Sequence, residues 1–142
     1  MNSVPANSIS TFGGNPLATT GALANLEYLL SQDLQGNALK MGHIFFERLR
    51  PLTDRHPYIA EVRGRGLMVA LELCHPDDQL TPWPEAAAAL MESCKKRGLL
   101  IGKGGLYNNV LRIAPPLSIT PAEASEGLDI IEAAVDEVGS AG

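Results

Sequence analysis

Glycine and proline cut this chain into short segments, and the spacing of apolar residues changes from one segment to the next. That punctuation limits the fold more than any other feature, because each segment must find cover for its apolar face on a neighbour. Gly13-Gly14-Asn15-Pro16 carries a helix-start signal. Asn15 can accept from first-turn amides, and Pro16 loses no needed hydrogen bond at the first helical position. From Leu17 to about Leu30, the residues Ala22, Leu23, Leu26, Leu29 and Leu30 recur at helical spacing. The spacing predicts a second helix from about Gln35 to Leu49, with a stripe of Leu39, Gly42, Phe46 and Leu49 and a stop near Pro51. Ile59 and Val62 then precede Arg63-Gly64-Arg65-Gly66, and Leu67 to Leu73 reads as a buried strand. Pro76 and Pro82 bracket a loop. Pro84 opens a third helix, closed by the basic run Lys95-Lys96-Arg97 and then Gly98. Leu99-Leu100-Ile101 and Val110 to Ala114 read as short strands. Thr120-Pro121-Ala122-Glu123 is a capping box heading a last helix with Leu128, Ile131, Ala134, Val135 and Val138 on its apolar side. The order α-α-β-α-β-β-α predicts an α+β fold: a small sheet with helices packed on one face.

Residues 1–9 are polar, contain Pro5 and have no periodicity, so they read as an extended lead-in to a domain over 10–142. A chain of 142 residues is long enough for one real core. Its net charge of −5 argues against a nucleic-acid surface or a polybasic membrane anchor. Cys74 and Cys94 form no close-spaced pair, and His43, His56 and His75 are scattered, so no metal or redox motif is present. Two reduced thiols are the expected state. No apolar run approaches the roughly 18 residues of a membrane span, and the first residues lack the charged and apolar regions of a signal peptide. A cytoplasmic location is therefore expected.

Two glycine-rich stretches tempt a phosphate reading. Gly98 to Gly104 is too short for a Walker A loop, and no Ser or Thr follows Lys103. Gly64-Arg65-Gly66 begins a dinucleotide pattern, but Val69 stands where the third glycine belongs and a strand follows. Both read as tight backbone turns. Ser10 and Thr11 offer hydroxyls just before a helix start, where an anion is favoured, but on this stretch alone an ordinary helix cap with a Gly-rich entry is the preferred reading. Arg112 sits in an apolar strand and faces away from Leu111 and Ile113. It either clamps a carboxylate or points into solvent. Lys40, Lys95 and Lys96 read as solvated, Trp83 as a loop-packing aromatic, and Tyr107-Asn108-Asn109 as a turn.

Four pieces together resemble the class-III, pyridoxal-phosphate-dependent aminotransferases. They are Ser10-Thr11-Phe12-Gly13-Gly14-Asn15-Pro16-Leu17-Ala18, Val62-Arg63-Gly64-Arg65-Gly66-Leu67-Met68, Arg97-Gly98-Leu99-Leu100-Ile101, and Leu111-Arg112-Ile113-Ala114-Pro115-Pro116-Leu117, in the family's order. The resemblance is strongest to the alanine–glyoxylate and omega-amino-acid branch. It implies the small C-terminal domain of a fold-type-I transferase, with a short, mainly antiparallel sheet. It also implies a homodimer acting on amino acids and oxo acids or aldehydes. Thr11, with Ser10 adjacent, would bind the phosphate of the neighbouring subunit's pyridoxal phosphate, and Arg112 would hold the substrate's carboxylate. The resemblance gives Arg63 and Arg65 no chemistry and no residue of this chain a catalytic role. The family's Schiff-base lysine lies upstream of the Thr11 motif, and residues 1–9 contain no Lys, Asp or Glu. The chain alone is therefore expected to be inactive. The alternative is an interaction module that pairs with itself or with a full-length homologue, and a weaker third reading is a small-anion binder at the Thr11 helix entry.

Overall fold

The computed structural model describes residues 11–140, so the lead-in and Ser10 lie outside the described residues. The chain divides between Asp33 and Leu34 into two units, each of which is described by itself.

The first unit is one helix, α1 (Pro16–Ser31). It starts where its cap dictates. Asn15 is extended, its Oδ1 accepts from the Ala18 N–H at 2.9 Å, and its Nδ2 donates to the Phe12 carbonyl at 2.6 Å. Glu27 is its one charged residue, yet none of its residues is buried.

The second unit carries four helices and a sheet. The helices are α2 (Leu34–Leu49), α3 (Leu52–Arg55), α4 (Pro84–Lys96) and α5 (Pro121–Ser140). The strands are β1 (Ile59–Arg65), β2 (Met68–His75), β3 (Asp78–Pro82), β4 (Gly102–Gly104) and β5 (Val110–Ile113). Strand order is β1-β2-β5-β4, with β3 paired to β2, and every pairing is antiparallel. Along β2 and β5 the residues Val69, Leu71, Leu73, Leu111 and Ile113 are buried, and their alternates are more exposed. Helices α2 and α4 pack on that buried face, and α5 lies against both helices. The core they close includes Met41, Leu49, Leu90, Leu128 and Ile131. Burying each such side chain stabilises the fold by roughly 1.5–3 kcal/mol relative to leaving it in water.

Both signals at helix ends take the form read from the sequence. In the α5 capping box Glu123 Oε2 accepts from the Thr120 N–H at 2.8 Å, and Thr120 Oγ1 accepts from the Glu123 N–H at 3.3 Å. At the end of α4 the Leu99 N–H donates to the Cys94 carbonyl and the Gly98 N–H to the Lys95 carbonyl, the paired bonds of a Schellman cap.

Several expectations shift. The buried residues of α2 are Met41, Gly42, Phe45 and Leu49, while Leu39 is exposed and Phe46 half-buried. Apolar residues lie on two adjacent lines of this helix, and only the packed sheet selects one. Ile59–Arg65 is a full strand, forming a hairpin with β2 through the Gly64–Gly66 corner. Gly64 has φ +144°, and a Cβ there would stand 1.9 Å from the Met68 carbonyl oxygen, so the corner admits only glycine at that position. The segment bracketed by Pro76 and Pro82 contains the hairpin strand β3, and the short strand expected at Leu99–Ile101 begins later, at Gly102. In both places pairing with a distant strand sets the limits, and apolar content does not.

Candidate functional site

The two expected contact points fall in different units. Thr11 lies in a bend before α1, exposed, and its hydroxyl makes no hydrogen bond among the described residues. The nearby helix start is already partly used, because Asn15 takes the Ala18 N–H and Pro16 has none. A hydroxyl and a partly open helix entry fit one piece of a phosphorylated cofactor, namely its phosphate. Nothing described offers a lysine in a closed setting: Lys40, Lys95, Lys96 and Lys103 are all exposed. The residues therefore fit a contact to pyridoxal phosphate and not a complete cradle for it.

Arg112 stands on β5 with its side chain on the face opposite Leu111 and Ile113, as strand alternation requires. Its cross-strand neighbours are Ala70 on β2 and Gly102 on β4. Neither reaches over the guanidinium. A Cβ built on Gly102 would lie 3.8 Å from Arg112 Nε, so the absent side chain leaves that flank open. Arg112 makes no hydrogen bond or ion pair among the described residues, in contrast to Arg48, Arg55, Arg63 and Arg97. Arg112 is also one of the residues bordering a cavity of about 650 Å³, whose other lining includes Leu99–Gly102, Ile113–Pro116, Phe45 and Ile131 from the buried face. The one carboxylate on that wall, Glu123, is occupied by Thr120, whose bonds hold its carboxyl below the ordinary range. An exposed guanidinium with no acidic partner has the charge and the planar pair of donors that suit a carboxylate.

On the same sheet face as Arg112, Arg63 bonds Glu61 at 2.6 Å and also Glu72, and these carboxylates hold its guanidinium more firmly protonated. Strand alternation alone puts Glu61 and Arg63 on one face, but Glu72 joins them through strand register, which no local window contains. Trp83 packs as a loop aromatic should, stacked on His75 at 5.1 Å and edge-on to Tyr58. Asn109 is more than a turn residue, since it is buried and its Nδ2 donates to the Leu73 carbonyl at 2.8 Å. Cys74 and Cys94 are free and buried, and burial pushes the Cys94 thiol up to about 11. Among the described residues no group of side chains could hold a metal ion, and no helix is long and apolar enough to cross a membrane.

The same antiparallel sheet with helices on one face occurs in solved transaminases. An aminotransferase from Bacillus anthracis superposes on 93% of this chain with a TM-score of 0.82 and 34% identity. A pyridoxal-phosphate-bound amine transaminase from an uncultivated Pseudomonas species matches with a TM-score of 0.82 and 33% identity over 93% of the chain. Each alignment covers 30% of the solved chain. The family model for class-III aminotransferases matches residues 1–135. This chain belongs to the class-III aminotransferase family. Among its relatives, the mitochondrial alanine–glyoxylate aminotransferase 2 homolog 2 of Arabidopsis thaliana is 43% identical over 81% of the chain. The 4-aminobutyrate aminotransferase of Escherichia coli is 35% identical over 89%. The chain spans 24% and 30% of the lengths of these relatives.

Proposed function

We propose that this chain is the C-terminal part of a pyridoxal-phosphate-dependent aminotransferase that moves an amino group from an amino acid to an oxo acid or aldehyde. The unpaired Arg112 guanidinium, flanked by Gly102 and Ala70, carries the reading. Arg112 binds and orients the substrate carboxylate. In a homodimer, Thr11 and its neighbour Ser10 hold the phosphate of the other subunit's cofactor through their hydroxyls. When bound, pyridoxal phosphate supplies the electron sink for the transfer. This chain's share is positioning, and its domain runs over 10–142 with 1–9 as a lead-in. Buried reduced thiols at Cys74 and Cys94 suit a reducing compartment, the cytoplasm in our reading.

The isolated chain is inactive in this reading, because none of its lysines is enclosed. Incubated with pyridoxal phosphate and then borohydride, it should fix no cofactor onto a single lysine and transfer no amino group from alanine to glyoxylate. One stoichiometric, reduced lysine adduct would refute that. Titration with propionate should shift the Arg112 Nε–Hε resonance, and Arg112→Gln should abolish saturable binding. A titration that leaves Arg112 unmoved removes its assigned role.

A second reading, a module that pairs with its own kind, is favoured by α1, whose Leu17, Leu23, Leu26 and Leu30 are exposed.

A further inference from the structure

The open face of the sheet carries two cross-strand rows. Arg63, Ala70, Arg112 and Gly102 form one row across β1, β2, β5 and β4. Glu61, Glu72, Val110 and Gly104 form the next. Glu72 is therefore diagonal to two arginines, Arg63 on one side and Arg112 on the other. Diagonal neighbours in an antiparallel pair lie roughly 7–8 Å apart, within the combined reach of a glutamate and an arginine. Yet Glu72 bonds Arg63 and leaves Arg112 alone.

Glu61 explains the choice. It is the direct cross-strand partner of Glu72, and like charges placed opposite one another repel. One Arg63 Nη1 donates to both carboxylates, which cancels that repulsion and fixes both groups on the β1 side. Ala70, opposite Arg63, is too small to obstruct the guanidinium. Without Arg63, repulsion from Glu61 would drive the Glu72 carboxylate toward the nearest remaining cation, Arg112.

We propose that Arg63 is a positioning residue: by holding Glu72 it keeps that carboxylate off Arg112 and leaves the Arg112 guanidinium free for a substrate carboxylate. The inference rests on the role of Arg112 given above. It also gives the Arg63-Gly64-Arg65-Gly66 corner a task beyond turning the chain, since the corner sets the register that puts Arg63 beside Glu72.

The test uses the 142-residue chain and its Arg63→Gln, Arg63→Lys, Glu72→Gln and Arg63→Gln/Glu72→Gln variants. The Arg112 Nε–Hε resonance is followed without ligand and then through a propionate titration. Arg63→Gln should move the ligand-free resonance and weaken propionate about two- to fivefold, the size of a partly exposed ion pair acting as competitor. The double variant should restore both readouts, and Arg63→Lys should largely preserve them. Damage to the fold would not be repaired by removing a second charge, so the rescue separates positioning from structure. An unmoved resonance in Arg63→Gln, or no rescue by Glu72→Gln, overturns the proposal. Should Arg63→Gln fail to fold, Glu72→Gln alone decides. It should leave the Arg112 resonance in place, and a shift there would mean that Glu72 already contacts Arg112. A native chain whose Arg112 ignores propionate sinks the substrate reading instead, while the ligand-free resonances still report whether Arg63 restrains Glu72.

Discussion

At the residue scale, two glycines with the same propensity have opposite consequences because of what stands next to them. A Cβ on Gly42 would lie 2.7 Å from both the Cα and the carbonyl oxygen of Gly66, so α2 meets the β1–β2 corner backbone to backbone. Neither side is a flexible side chain that could yield. Gly42→Ala should destabilise the chain by about 2 kcal/mol, the usual cost of overpacking a closed contact. Gly127 on α5 has nothing within 4 Å of its Cβ position. Gly127→Ala should stabilise by roughly 0.5–1 kcal/mol through helix propensity alone. Urea unfolding of the two variants checks the pair, and equal signs would refute the packing argument. The same contrast governs Arg112. Its facing was legible from the alternation of Leu111, Arg112 and Ile113, but its freedom from acid partners depends on Ala70, Gly102 and Arg63 in other strands.

At the scale of elements, α5 is the helix whose start is most fully specified, and its stability should carry a pH signature. Hydrogen bonds from the Thr120 hydroxyl and backbone N–H favour the ionised Glu123 and hold its carboxyl below the ordinary range. A carboxyl lowered on folding adds stability that is complete above its unfolded pKa and is lost as pH falls through its folded pKa. The contribution of the cap should therefore be whole above about pH 5 and fade below about pH 4. Thr120→Ala should cost about 1 kcal/mol at neutral pH, lowering Tm by roughly 3 °C. Glu123→Gln should flatten the acid limb of the stability curve, and an unchanged limb in thermal melts from pH 3 to 7 would count against it. Capping signals of this kind were readable in the sequence because each spans four or five adjacent residues. Strands β1, β3 and β4 were misread or shifted because their limits are set by hydrogen bonds to β2 and β5, which no local window contains. The buried line of α2 was misplaced for a related reason, since Met41 and Phe45 compete with Leu39 and Phe46 until a sheet lies against the helix.

At the scale of the whole molecule, the decisive fact is a mismatch between the composition of α1 and its exposure. A helix that is apolar around its circumference belongs in an interior, and α1 has Glu27 as its one charge. Yet Leu17 is 85% exposed, Leu30 61%, Leu23 56% and Leu26 52%. With a rise of about 1.5 Å per residue, those side chains run along roughly 20 Å of helix, the kind of contiguous apolar surface that marks an interaction face. The net charge of −5 offers little protection, because Glu27 is the only part of it carried by α1. The chain spans 24% and 30% of the lengths of its Arabidopsis thaliana and Escherichia coli relatives. On its own, the chain should cover α1 with a second copy. Sedimentation at two concentrations tenfold apart should show the average mass rising, and Leu23→Glu with Leu26→Glu should return it to a monomer. A mass that stays monomeric at both concentrations would leave the uncovered leucines without a self-partner. The pairing reading would then fall, and the aminotransferase-fragment reading would stand alone.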